Sequence, residues 1–221
     1  MSNSRFDAVK HEYYIDDRKL MSVTELIGTY ERPFNANMVA HMVAKKSGRD
    51  KNDILNEWQI KKDIAIAYGN SIHLAIEMWI KFKIKPTQKH LEEALDSFLE
   101  KYGDEYESEK RVFNYEYELG GTMDLINDIY IDDIKTNRTN KKATKGNFIK
   151  PLNKIKVNNL NKARLQLSIY DKLTGSSRKL RILNFDGYSW ETIELEKVDV
   201  DDILEIRKQE LEKERLVKNM F

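Results

Sequence analysis

Two aspartates and a lysine, set in a stretch of alternating character, are the residues of this chain best suited to chemistry. They stand in Gly-Gly-Thr-Met-Asp-Leu-Ile-Asn-Asp-Ile-Tyr-Ile-Asp-Asp-Ile-Lys-Thr, which begins at Gly120 and carries Asp124, Asp132, Asp133 and Lys135. A two-residue turn at Asn127 and Asp128 would pair Ile126 with Ile129, Asp124 with Ile131 and Thr122 with Asp133, because paired positions in an antiparallel hairpin sum to a constant. Side chains alternate between faces, so Asp124, Asp133 and Lys135 are expected on one face and Asp132 on the other. Two carboxylates and an ammonium among Ile126, Ile129 and Ile131 are costly to desolvate unless something compensates them, and a divalent cation would. Oxygen ligands of this kind suit magnesium or manganese, as one or two ions, which activate water and neutralise the charge that develops on a phosphodiester. Lys135 could orient the attacking water or stabilise a pentavalent transition state. An ordinary buried Asp-Lys ion pair has the same spacing, and the hairpin alone leaves that alternative open.

Two helical patterns supply further polar groups. In Tyr-Gly-Asn-Ser-Ile-His-Leu-Ala-Ile-Glu, His73 and Glu77 lie four apart and share a helix face beside Ile72, Ile76 and Trp79. An imidazole is acceptable to manganese and less so to magnesium, and Glu77 could add an acidic ligand or hold His73. A histidine satisfied within the core is the plainer reading. In Ala-Arg-Leu-Gln-Leu-Ser-Ile-Tyr, Gln166 and Tyr170 are again four apart, with Lys162 one turn earlier. Both could donate hydrogen bonds to a phosphate or hold a catalytic residue in place, and both could equally be surface and core edge. Between Asp133 and Asp171 there is no acidic residue, while Lys135, Arg138, Lys141, Lys142, Lys145, Lys150, Lys154, Lys156, Lys162 and Arg164 are all positive. A polyanion such as DNA is the natural partner of that block, and a solvated basic loop is the competing reading.

The elements that must position these groups follow from periodicity. Residues 13–20 read as a hairpin turning at Asp16 and Asp17, and Ser22-Val-Thr-Glu25 has the spacing of a capping box, opening a helix that ends before Pro33. A long helical pattern runs from 50 to about 83, with Ile54, Trp58, Ala65, Ile72, Ile76 and Trp79 at helical intervals and an interruption expected at Gly69. A second helix is expected over about 88–102. The period then changes to two, predicting strands over 112–119, 122–126 and 129–136. Residues 137–159, with Gly146 and Pro151, read as a long loop, of the kind that carries function or is disordered. A helix over 160–173, a hairpin of 179–185 and 188–194 meeting at Asp186 and Gly187, and a charged helix over 199–218 complete the chain.

The order implies an α/β fold with a mixed central sheet flanked by helices. At 221 residues a single domain is expected over 1–221, with an N-terminal helical part over about 20–105, a sheet and helix over about 110–195, and the closing helix. Charge is balanced, 38 basic against 37 acidic side chains for a net +1, so any polyanion site must come from distribution, not total charge. The absence of cysteine excludes disulfides, thiolate zinc sites, iron-sulfur clusters and a cysteine nucleophile. No apolar run approaches the roughly 18 to 20 residues of a membrane span, and the opening residues lack a signal-peptide layout, so no membrane partner and a cytoplasmic location are expected.

Taken together, Gly69-x-x-x-His73-x-x-x-Glu77, Gly121-Thr-x-Asp124, Asp133-x-Lys135-Thr136 and Gln166-x-x-x-Tyr170 resemble the RecB-like branch of the PD-(D/E)XK nucleases, a group that includes phage exonucleases and the mitochondrial genome maintenance exonuclease. The resemblance spans roughly residues 20–195. It implies a restriction-endonuclease-like core, metals on His73, Asp124, Asp133 and the carbonyl of Ile134, with Glu77 as a further acidic group, and Lys135 as the catalytic lysine. Gln166 and Tyr170 would support the site or hold the DNA backbone, and within the basic block Lys162, Arg164, Arg138, Lys141 and Lys142 are the candidate DNA-binding residues. Members with four cysteines around an iron-sulfur cluster are not matched, since this chain has none. Helicase motifs and a phosphate loop are absent too, so the nuclease would act alone or with a separate motor, recombinase or single-strand-binding protein, and ring-forming relatives make a homo-oligomer an expectation. The activity implied is a DNA exonuclease of phage or mobile-element recombination, working in the cytoplasm of a bacterial host. A structure-selective or single-strand endonuclease, a nucleic-acid-binding protein that has lost hydrolysis, and a metal-free structural protein are the alternatives.

Overall fold

In the computed structural model, which describes residues 3–136 and 146–218, local turn chemistry organises the N-terminus. The expected hairpin is formed by β2 (Glu12–Ile15) and β3 (Arg18–Lys19), and β1 (Ser4–Asp7) extends it to a three-stranded antiparallel sheet over buried Tyr13, Ile15 and Leu20. β4 (Met21–Ser22) leads directly into α1 (Val23–Thr29). Ser22 Oγ accepts from the Glu25 amide while the Glu25 carboxylate accepts from the Ser22 amide, the reciprocal cap that the spacing predicts. α2 (Ala36–Ser47) lies outside the elements expected from periodicity because it has no apolar stripe to read: Ala40 is buried, whereas Met38 and Met42 stand exposed. α3 (Lys51–Phe82) runs unbroken through Gly69. A Cβ there would lie 3.2 Å from Thr136 Oγ1, so the glycine serves a close approach between helix and strand end instead of an interruption.

α4 (Lys89–Tyr102) precedes an antiparallel meander of β5 (Glu107–Asn114), β6 (Leu119–Ile126) and β7 (Tyr130–Lys135). α5 (Asn159–Leu173) then carries the chain to β8 (Lys179–Phe185), parallel to β7. β9 (Trp190–Leu195) returns antiparallel, and α6 (Asp201–Lys218) closes the fold. This is a mixed sheet flanked by helices. Ile131 and Leu180 pack with Leu165 and Ile169 of α5, Leu26 of α1 and Ile203 of α6, while Ile134 and Leu183, of opposite parity, pack with Ile72 and Ile76 of α3 and Phe98 of α4.

The central hairpin keeps its expected parity but not its expected turn. Leu125 pairs with Asp132 and Ile126 with Ile131, so the two turn residues are Asp128 and Ile129, one position further on, and Ile129 is exposed. Asn127 explains the slide. Its Oδ1 accepts from the amides of Ile129 and Tyr130 and its own amide donates to the Tyr130 carbonyl, which makes it the last strand residue and not the first turn residue. Asp186 does the same between β8 and β9, accepting from the Tyr188 and Ser189 amides and moving that turn to Gly187 and Tyr188. A slide of one residue at each strand end alters the sum of paired positions by two, so every face assignment survives and Asp124 comes level with Asp133.

β6 has three partners and two edges. β5 occupies one edge from Leu119 to Ile126, with Asp124 alone left out of the register. The other is shared by β4, at Leu119 and Gly120, and β7, at Leu125 and Ile126, leaving residues 121–124 without a ladder neighbour there. Within the predicted loop, residues 146–158 are anchored, with Phe148, Leu152 and Val157 buried and the Ile149 amide donating to the Tyr30 carbonyl, while Lys150, Lys154 and Lys156 are exposed. Arg138, Lys141, Lys142 and Lys145 lie outside the described residues.

Candidate metal centre

A cavity of about 450 Å³ opens at that gap. Its walls include His73 and Glu77 from α3, Glu109 from β5, Thr122 and Asp124 from β6, Asp133 and Lys135 from β7, and Gln166 and Tyr170 from α5, with His11, Tyr13, Ser22 and Thr24 closing the N-terminal side. The two glycines that begin the motif on β6 make the walls possible. A Cβ on Gly120 would come within 2.4 Å of Tyr13, and one on Gly121 within 2.4 Å of the Tyr170 ring, so each lets an aromatic ring lie against the strand backbone. Tyr13 Oη and Thr122 Oγ1 are 2.8 Å apart. Gln166 Nε2 donates to Tyr170 Oη, and burial pushes the Tyr170 hydroxyl well above its ordinary range, so it stays a proton donor.

Beyond Asp132 the β6–β7 ladder stops, and the Ile134 amide donates to Asp124 Oδ2 at 2.7 Å instead of to a cross-strand carbonyl. His73 Nε2 lies 3.1 Å from the Ile134 carbonyl, which can only accept, so Nε2 is the donor there and Nδ1 is left facing Asp124 Oδ2, 3.7 Å away. Asp133 Oδ1 accepts from Lys135 Nζ at 2.7 Å, and its Oδ2 is buried with no hydrogen-bond partner. Burial raises the Asp133 carboxyl against the opposing pull of Lys135. For Lys135 burial works to lower the ammonium, but the charges of Asp133 and Asp124 outweigh it and leave it raised, hence protonated.

The donor set fits a divalent ion. One donor atom each of His73, Glu109 and Asp124 lie within 4.8 Å of one another, and an ion with bonds of about 2.1 Å holds its ligand atoms roughly 3 to 4 Å apart, a small contraction from there. Asp133 is not part of that cluster but lines the same cavity, and its unpartnered oxygen is the kind of buried atom that a cation would satisfy. Glu109 is the residue the sequence reading missed. The charged run Glu-Ser-Glu-Lys-Arg from 107 to 111 hides the start of β5 from any apolar alternation, and the strand was expected only from 112.

Other expected residues take different places. Glu77 lines the cavity with its carboxylate on Lys81 at 2.6 Å. Lys162 pairs with Glu31, and Arg164 donates to the Glu196 carbonyl, so neither lines the cavity. The Ile134 carbonyl, expected as a ligand, is engaged by His73. Among the described residues no helix is long and apolar enough to cross a membrane.

No family model and no curated protein matches the sequence. Among solved structures, the chain is similar to one described as the crystal structure of SSO0001, with a TM-score of 0.39 and 18% identity, covering 87% of this chain and 75% of that one.

Proposed function

We propose that this chain is a metal-dependent deoxyribonuclease of the PD-(D/E)XK class, acting as an exonuclease. The observation that carries the reading is convergence: His73, Asp124, Asp133, Lys135, Gln166 and Tyr170, spread over nearly a hundred residues of sequence and four elements, line one cavity. The run of α3, the β5–β6–β7 meander, α5 and parallel β8 supports a restriction-endonuclease-like core.

A magnesium or manganese ion held by His73 and the carboxylates would lower the pKa of bound water and offset charge on the scissile phosphate. The chain's own residues do the rest. Lys135 keeps its proton and sits beside the Asp133 carboxylate, where it can hold the attacking water and then stabilise the added negative charge on phosphorus. Tyr170 and Gln166 present donors for a phosphate oxygen, and the buried tyrosine keeps its proton while doing so.

The test is digestion of end-labelled linear duplex and of a sealed circle with manganese. Loss of the linear substrate with the circle intact is expected, and Asp124→Ala or Lys135→Ala should abolish cutting while DNA binding survives. Cutting of the circle would make the enzyme an endonuclease, and full activity in either variant would place the centre elsewhere.

A further inference from the structure

β5 gives the cavity a carboxylate that the four-motif resemblance does not contain. The β5–β6 ladder pairs Ser108 with Leu125 and Lys110 with Met123 but omits Glu109 and Asp124 between them, and Glu109 has φ +53°, unfavourable for a residue with a Cβ. Its carboxylate is nevertheless brought to His73 and Asp124. Other acids of the cavity have cations of their own, Glu77 on Lys81 and Asp133 Oδ1 on Lys135, whereas among the described residues no lysine or arginine forms an ion pair with Glu109 or Asp124. Independent of that cluster, Asp133 also lines the cavity, is 4% exposed, and has a buried Oδ2 with no hydrogen-bond partner. Two carboxylates without a lysine or arginine ion pair, beside a third that has an unpartnered oxygen, repel one another, and a bound cation would relieve that repulsion.

We propose that Glu109 is a metal ligand of this site: a divalent cation is held by His73 Nδ1, Glu109 and Asp124, the free oxygen of Asp133 completes the set, and the Ile134 carbonyl orients His73 instead of binding the ion. The assignment rests on the metal-dependent reading above and names the strand that supplies its missing ligand. Ligating histidines commonly donate their second ring nitrogen to a backbone carbonyl, which fixes the tautomer, and His73 is arranged that way. With imidazole and carboxylates together, manganese is the ion the set favours over magnesium.

Calorimetric titration of the metal-free 221-residue chain with manganese chloride, without nucleic acid, tests the assignment. The unaltered protein should bind, and Glu109→Gln, which keeps shape and removes charge, should weaken binding at least about tenfold. To separate a lost ligand from a damaged fold, each protein's melting temperature with manganese is compared with its own melting temperature in EDTA. A manganese-induced rise that disappears in Glu109→Gln supports the assignment whatever the variant's starting stability. Undiminished affinity and rise in Glu109→Gln, with both lost in Asp124→Asn, would overturn the role of Glu109 and leave the nuclease reading standing. No manganese binding by the unaltered chain would remove both.

Discussion

Asp132 and Asp133 are neighbours on β7, face opposite sides of the sheet, and are treated differently by those sides. Asp132 is 0% exposed, and both its oxygens are taken by Arg181, from Nε at 2.8 Å and Nη2 at 2.6 Å. The guanidinium lies 3.3 Å from the centre of the Tyr130 ring and donates to the Tyr106 hydroxyl. Asp133 is almost as deeply buried, yet one oxygen meets a flexible lysine whose side chain is 38% exposed and the other meets nothing. Geometry closes the first pair, whereas the second is left open beside two further acids. A buried carboxylate that the fold fully answers is architecture, and one that it answers by half is where a ligand belongs.

Substituting each aspartate puts that contrast at risk. Asp132→Ala strands a buried guanidinium and should lower stability by about 3–5 kcal/mol, seen as a fall in the urea midpoint. Asp133→Ala should be nearly neutral for folding, because Lys135 can turn to water, while manganese-dependent hydrolysis is lost. Equal destabilisation by the two would mean that the open side is as structural as the closed one. Next in size is Gly121→Ala, whose Cβ would fall inside the Tyr170 ring contact; displacing that buried side chain should lower stability by roughly 1–3 kcal/mol and disturb the wall that carries Gln166. An unchanged melting temperature would show that the ring is not seated against β6.

The separation of Asp132 from Asp133 was legible in the sequence because it depends on strand parity alone, and parity survives a turn that slides by one residue at each end. The slides themselves come from Asn127 and Asp186, whose side chains can cap a turn as readily as occupy it. Four motif segments could be placed together from spacing and resemblance. Out of reach was the gap in β6, which arises because two residues of β4, too short to leave a pattern, take the first part of an edge that β7 takes last. Glu109 was hidden for a related reason: a strand start made of charged residues has no hydrophobic rhythm, and its carboxylate reaches the site through a left-handed backbone that no spacing announces. The anchoring of 146–158 by Phe148, Leu152 and Val157 follows irregular spacing among lysines and asparagines, so those residues read as loop.

The smallest effect is also the most selective measure of how open the second side is. Burial, and after it the charges of Asp124 and Glu77, hold the Glu109 carboxyl above its ordinary value of 4.5. A carboxyl with a raised native pKa binds more protons folded than unfolded, so its contribution to stability is full below the unfolded value and is lost as pH climbs through the native one. In EDTA, Glu109→Gln should therefore match the parent near pH 4 and exceed it at pH 8, because the variant has no charge to repel Asp124. Groups elsewhere with lowered values, such as Glu57 and Asp104, slope the other way, but they are common to both proteins and cancel in the difference. Parallel curves for parent and variant would mean that the Glu109 proton is not linked to folding, and the carboxylates around Asp133 would then be as well compensated as Asp132 is by Arg181.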